Sequence, residues 1–172
     1  LLDFSIRERN LLGHGQDLRV GVVLGQKNQQ VDLSFTEPYF LDRDITAGAD
    51  LFLVQTDRQS ESSFDTADAG LALRAGYPIT ERLEQDWRYS FKRAEIKNVP
   101  NKASIYVKEA EGTTYPSVVS HTLSYDVRDS KVNPTSGYFA GFSTDVAGVG
   151  GDVKYLRNRV DADYYYPVAD KW

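Results

Sequence analysis

The chain is written in period two. Leu2, Phe4 and Ile6 alternate with Asp3, Ser5 and Arg7, and Val31, Leu33 and Phe35 alternate with Asp32, Ser34 and Thr36. The same rhythm runs through 18–24, 45–53, 69–77, 83–92, 119–128, 138–146 and 156–166. Side chains at every second position share one face of a β-strand, so these segments predict about nine amphipathic strands. Helical periodicity is nearly absent. A further short strand is expected at Ser104–Lys108, inside the long connector 94–117.

The connectors between strands alternate in character. One set is rich in turn formers: 10–16, 37–44, 77–83, 128–137 and 165–172. The interleaved set, 24–30, 55–66, 94–117 and 147–154, is polar and variable. In an up-and-down meander alternate connectors lie at opposite ends of the sheet, so one end is expected to be tight and the other elaborated. Tyr39, Phe40, Tyr77, Tyr138, Phe139, Tyr164, Tyr165, Tyr166 and Trp172 gather near the tight end. An aromatic girdle at a membrane interface has this distribution.

Alternation suits a soluble β-sandwich and a membrane barrel equally, since one is the other turned inside out. Three features favour the barrel. Several segments run about 9–11 residues, the length that crosses a bilayer at a tilt, whereas globular strands usually run about 5–6. The polar positions carry both charge signs at mid-strand, as in Arg157, Arg159, Asp161 and Asp163. The connectors also alternate in length.

Composition narrows the function. The 172 residues have the length of one domain and a net charge of −5, with both signs dispersed. No basic cluster invites phosphate, so nucleic acid is not an expected partner. The absence of cysteine excludes a disulfide scaffold, a thiol nucleophile and a thiolate metal site. The first residue is Leu1 and no secretory leader is recognisable, so the chain reads as a mature or excised piece. No run reaches the roughly 18–20 apolar residues of a membrane-spanning helix, which a β-barrel does not need.

Candidate chemistry is sparse. His14 sits in a glycine-flanked turn and His121 on an apolar strand face; their spacing forms no zinc motif. Gly148–Asp152, "GVGGD", lacks the Gly-Lys-Ser/Thr ending of a phosphate loop and is expected to be a flexible loop. "NPT" at 133–135 has proline in the forbidden middle position of a glycosylation acceptor. No Ser-His-Asp set or nucleophile elbow is present, so no catalytic residue, metal site or cofactor is expected. What remains is "YDVRDSKVNPTSGYF", 125–139. An arginine between Asp126 and Asp129 would hold both carboxylates ionised, which suits a structural clamp better than acid–base work. Pro134 fixes φ and Gly137 supplies a permissive φ before the next strand.

This stretch resembles the signature turn of the outer-membrane insertase superfamily, in which Asp-x-Arg-Asp is followed by Pro-Thr-x-Gly and an amphipathic strand. Asp126, Arg128, Asp129, Pro134, Thr135 and Gly137 match it position by position. "NLLGHGQDL" (10–18), "SFTEPYFLDRDITAGADLF" (34–52), "GYPITERL" (76–83) and "YYYPVADKW" (164–172) resemble further family turns in the right order. The resemblance implies an all-β, antiparallel up-and-down meander, part of a sixteen-stranded transmembrane β-barrel in the Gram-negative outer membrane. Residues 1–172 would form one partial barrel domain, about strands two to ten. The POTRA domains, the first strand and the C-terminal strands would lie outside it. Arg157, Arg159, Asp161 and Asp163 would face the lumen. The implied function is assisted folding and insertion of β-barrel proteins, without covalent chemistry. Outer-membrane lipid, client β-barrels and accessory lipoproteins would be the partners, and no cofactor is implied. A related transporter exporting a partner protein, a passive porin and a soluble β-sheet binding module are the alternatives.

Overall fold

Ten strands follow one another in a computed structural model that describes residues 1–59 and 64–168. They are β1 (Leu2–Leu11), β2 (Gln16–Leu24), β3 (Asn28–Glu37), β4 (Thr46–Asp57), β5 (Asp65–Pro78), β6 (Leu83–Lys97), β7 (Gly112–Thr114), β8 (Ser117–Asp126), β9 (Gly137–Ala147) and β10 (Tyr155–Tyr165). All pairings are antiparallel and sequential, in the order β1-β2-β3-β4-β5-β6-β8-β9-β10. The 15-residue β6 is long enough to hold β8 along Leu83–Phe91 and the short β7 along Ala94–Ile96. Apart from β7 the strands run 9 to 15 residues, enough to cross a bilayer at a tilt. Among the described residues β1 and β10 do not pair with each other.

The register carries one face intact across the sheet. Ile6, Val20, Leu33, Leu51, Leu71 and Phe91 form a continuous cross-strand row. Leu18, Phe35, Ala49, Leu73, Tyr89, Val119, Val146 and Leu156 form the next on the same face. The intervening rows hold Arg7, Arg19, Ser34 and Asp50, then Gly48, Arg74, Arg88, Ser120, Asp145 and Arg157. A one-residue slip at any strand would put its apolar side chains on the charged face.

Among the described residues no second layer covers the apolar face. Leu51, Leu53 and Leu73 are 53–56% exposed, and Ala72 and Ala147 are the buried hydrophobic residues among those described. A soluble sandwich of this length would bury its large aliphatics. Here the charged face is the more crowded one, with Asp50 only 20% exposed. The sheet is therefore inside out relative to a water-soluble protein.

Three expectations change. The strand expected at 104–108 is a single helical turn, α1 (Ile105–Glu109). Ser104 caps it, its hydroxyl accepting from the Val107 N–H, and that local bond competes with an extended backbone. The extra strand lies later, at β7. The two ends of the sheet are also less unequal in length than expected. The connector 25–27 has three residues although it belongs to the polar set, and 127–136 has ten although it belongs to the tight set. The "GVGGD" loop is tied down. Asp152 accepts from the Tyr115 N–H at 2.6 Å and donates its own N–H back to the Tyr115 carbonyl at 3.2 Å, while the Ser117 hydroxyl donates to the Val149 carbonyl at 2.5 Å.

Candidate functional site

The ten-residue connector 127–136 folds around two separately held carboxylates. Arg128 grips Asp126 with two charge-assisted bonds, Nε to Oδ1 at 2.9 Å and Nη2 to Oδ2 at 2.7 Å. The Arg128 N–H adds a third at 3.1 Å. Both side chains are only 17% exposed, and the guanidinium lies over the Phe139 ring, 5.1 Å from its centroid. A planar, bidentate, ring-stacked contact is what arginine makes and lysine does not.

Asp129 is held differently. Its Oδ1 accepts from the Thr135 and Ser136 N–H groups at 2.8 and 3.1 Å, and its Oδ2 accepts from the Thr135 hydroxyl. These bonds, the Thr135 hydroxyl foremost, hold its carboxyl down at about 2. The expectation that Arg128 sits between both carboxylates is corrected: its bonds go to Asp126, while Asp129 closes the turn through backbone donors that sequence spacing does not reveal. Pro134 precedes Thr135 in this loop, and Gly137 opens β9 at φ +99°. A Cβ on Gly137 would lie 2.9 Å from the Arg128 Cα and nearer still to the Val127 carbonyl oxygen. The Val127 N–H meets the Tyr138 carbonyl at 3.0 Å, and the Asp129 N–H meets that of Ser136 at 3.0 Å. The turn also touches its neighbour, through Asp126 N–H to the Arg82 carbonyl at 2.9 Å and Lys131 to Glu84 at 3.3 Å.

The aromatic cluster near this end divides by face. Tyr138 and Tyr164 pair across β9 and β10 on the apolar face, and Tyr125 lies 5.9 Å from Tyr138. Phe139 and Tyr165 belong to the charged face, Phe139 in register with Asp126 and Asp163. Counting aromatics missed that Phe139 is a platform for Arg128; strand parity from Tyr138 carries the signal. Trp172 lies outside the described residues.

Arg157, Arg159, Asp161 and Asp163 all fall on the charged face, opposite Asp145, Ser143, Gly141 and Phe139. Arg157 donates to Asp145 at 2.5 and 2.8 Å, and Arg159 pairs with Asp161 at 3.3 Å. The densest polar cluster lies elsewhere on that face. Arg74 reaches Asp50 with Nε at 2.9 Å and Nη2 at 3.0 Å, and Nη2 also reaches the Ser34 and Thr36 hydroxyls. Arg88 joins at 3.3 Å. Gly48 leaves room for the Arg74 guanidinium, whose Nη2 lies 2.7 Å from where a Cβ would stand. The sequence signal for this cluster is the parity of Asp50 and Arg74 in successive strands.

Among the described residues no group of three or more His, Cys, Asp or Glu could hold a metal ion. His121 packs on Trp87 on the apolar face with ring centroids 4.5 Å apart, and its Nε2 is buried without a hydrogen-bond partner. His14 lies in the turn after β1.

Comparison with known proteins places this sheet. Residues 10–172 match the Omp85 superfamily domain. The chain is 29% identical to outer membrane protein assembly factor BamA of Neorickettsia risticii, covering 98% of the chain and 23% of that protein. It is 28% identical to sorting and assembly machinery component 50 homolog A of Xenopus laevis, covering 86% and 31% respectively. In three dimensions it resembles the crystal structure of BamA from Haemophilus ducreyi lacking POTRA domains 1–3. The TM-score is 0.76 at 21% identity, over 97% of this chain and 35% of that one. The chain thus spans less than a third of the length of each of these two relatives. With an inside-out meander, a bilayer-length set of strands and a domain match over nearly the whole chain, this protein belongs to the Omp85 superfamily, as a segment of its outer-membrane β-barrel.

Proposed function

We propose that residues 1–172 are one part of the barrel domain of an assembly factor that assists β-barrel proteins to fold and insert into the outer membrane. The observation that carries the reading is the chain-long relationship to bacterial and animal proteins both named for assembly. The open apolar face meets lipid, which is consistent with its exposure. Arg157, Arg159, Asp161 and Asp163 line the lumen together with the Asp50–Arg74–Arg88 cluster, where water solvates charge that lipid would not. The connectors 38–45, 79–82 and 127–136 lie on the periplasmic side, next to POTRA domains and accessory lipoproteins. Client strands and outer-membrane lipid are the remaining partners.

The work is done without making or breaking a covalent bond. Each client strand reaching the bilayer carries unsatisfied N–H and C=O groups, costly in hydrocarbon, and a barrel that offers strand edges and perturbs its surrounding lipid lowers that cost. The test uses the full-length protein reconstituted into vesicles, with a urea-unfolded client barrel added and its folding followed by protease protection. Faster client folding than in protein-free vesicles is expected. Equal rates, or export of a soluble partner instead, would overturn the proposal.

A further inference from the structure

At the end of the sheet away from the 127–136 turn, the apolar face closes on two cations. Its rows there run Val22, Val31, Leu53, Ala69 and Arg93, then Leu24, Gln29, Gln55, Ala67 and Glu95, then Asp57, Asp65 and Lys97. Arg93, Glu95 and Lys97 occupy alternate positions at the end of β6, so all three share the face of Leu53 and Leu71. Ala69 between Leu53 and Arg93, and Ala67 between Gln55 and Glu95, leave a trough of about 340 Å³. Val31, Leu53, Ala67, Ala69, Arg93 and Lys97 are among the residues that line it.

Two independent features point to an anionic ligand. The first is convergence. Glu95 is only 16% exposed, and its Oε2 meets Arg93 Nη2 at 2.9 Å and Lys97 Nζ at 3.1 Å. The two cationic nitrogens therefore lie within about 6 Å of each other, a gap that the oxygens of one phosphate group span with charge-assisted bonds to both. Two cations over one carboxylate leave positive charge to spare. Both are about half exposed, and among the described residues neither has another ion-pair partner. The second feature is position. Arg93 stands in the row of Val31 and Leu53, both exposed on the apolar face. A cation on a lipid-facing surface is costly unless it meets a counter-ion, and an exposed ion pair within the protein contributes little.

We infer that the trough binds a lipid of the external leaflet through a phosphate monoester on its headgroup. The phosphate bridges Arg93 and Lys97, and an acyl chain runs down over Ala69 against Leu53. The chemistry selects this occupant. A phosphate monoester carries nearly two negative charges and accepts from a guanidinium fork and an ammonium together. A zwitterionic headgroup would bring its own ammonium against the two cations. Asp57 and Asp65 bound the site on its outer side and are already engaged. The Gln59 N–H donates to Asp57 at 2.9 Å, and the Asn98 side-chain amide donates to Asp65 at 2.6 Å. They hold the phosphate at the level of Glu95, which the long Arg93 side chain reaches from the hydrocarbon below. The inference rests on the reading that the apolar face meets lipid and that the connectors 38–45, 79–82 and 127–136 are periplasmic, which puts the far end of β6 in the external leaflet.

The test uses the full-length protein in detergent, titrated with bisphosphorylated lipid A or with the same lipid stripped of phosphate, and bound lipid is counted by native mass spectrometry. The phosphorylated lipid is expected to be retained preferentially. Arg93→Gln and Lys97→Gln should each weaken that preference about tenfold, the effect of losing one charge-assisted contact. Lys108→Gln removes an exposed cation from α1, away from the trough, and should leave the preference unchanged. Equal retention of the two lipids by the parent protein, or an equal loss in Lys108→Gln, would overturn the site. Displacement of the lipid by an equal concentration of inorganic phosphate would overturn the lipid as its occupant. Two labels keep the underlying reading separate. A fluorophore on Leu53→Cys that brominated lipids fail to quench overturns the lipid-facing assignment. A Lys108→Cys protein that an impermeant maleimide fails to label on intact cells overturns the external placement. Quenching and labelling without phosphate preference overturn the trough alone.

Discussion

Gly137 is where the 127–136 turn can be broken with the smallest change. The residue opens β9 at φ +99°. An alanine held there costs about 1–3 kcal/mol in backbone strain. Its Cβ would also collide with the Val127 carbonyl oxygen and lie 2.9 Å from the Val127 carbonyl carbon and the Arg128 Cα. All three atoms are backbone, so no side chain can swing aside. Relief requires 127–128 and 137–138 to part, which endangers the Val127–Tyr138 and Asp129–Ser136 bonds, both at 3.0 Å. At about 1 kcal/mol net for each bond, the total for Gly137→Ala comes to about 3–5 kcal/mol, or roughly two to four powers of ten in the folded fraction. Gly150 supplies the control: it has φ +81°, but a Cβ there meets nothing within 4 Å, so Gly150→Ala carries the strain alone. Urea titration of the full-length protein in lipid vesicles, read by heat-modifiable gel mobility, gives both stabilities. Gly137→Ala should be about 2 kcal/mol worse than Gly150→Ala, the value of the two threatened bonds. If the two variants unfold at the same urea concentration, the collision is relieved at no cost and the rigid-turn argument is wrong.

Three further outcomes follow from the same geometry. Asp129 is held at about 2, below the unfolded aspartate value of about 3.9. Its stabilisation is therefore complete above about pH 4 and is lost as the pH falls towards 2. Asp129→Asn should lower stability at neutral pH and flatten the decline between those values, and a parallel acid limb in both proteins would contradict this. Arg128→Lys loses the bidentate grip on Asp126 and the stack on Phe139. It should lower the urea midpoint, and should do so much less in a Phe139→Leu background; equal losses in both backgrounds would remove Phe139 from the clamp. Leu51 stands at the middle of β4 on the apolar face. Leu51→Arg should cost about 2–4 kcal/mol in a bilayer, and Thr122→Arg, beside Asp86 on the charged face, clearly less. Similar losses at both positions would mean that the faces are misassigned.

The face assignment was legible because a β-strand offers one binary choice per residue and this chain repeats it with few errors. Leu33 and Leu51, or Ser34 and Asp50, are placed by counting in twos, and antiparallel neighbours then follow from chain order. Where local chemistry competes with alternation, counting fails. Ser104 precedes "IYVKE", whose β-branched and aromatic residues favour a strand, yet its hydroxyl caps a helical turn instead. The same limit applies to the loops. "GVGGD" looks flexible by its glycines, but the Tyr115–Asp152 pair that fixes it joins residues 37 apart. The Asp50–Arg74 bond joins residues 24 apart and depends on a register that composition does not supply.

The 127–136 turn has the geometry of a register device. A hairpin with a ten-residue connector has many ways to rejoin its partner strand, and each shift of one residue would exchange Tyr138 for Phe139 on the apolar face. Asp129 fixes the length of the loop, since its bonds to Thr135 and Ser136 leave one way to close it. Gly137 fixes the point of re-entry, because only a residue without Cβ fits against Val127. Arg128 then reads the result. It reaches Asp126 on one strand and Phe139 on the next, and both contacts exist only when the register is right. From that point Phe142 and Val146 fall on the apolar face, and Ser143 and Asp145 meet Arg159 and Arg157 on the other. The two carboxylates are thus not redundant. One sets the loop and the other checks the pairing.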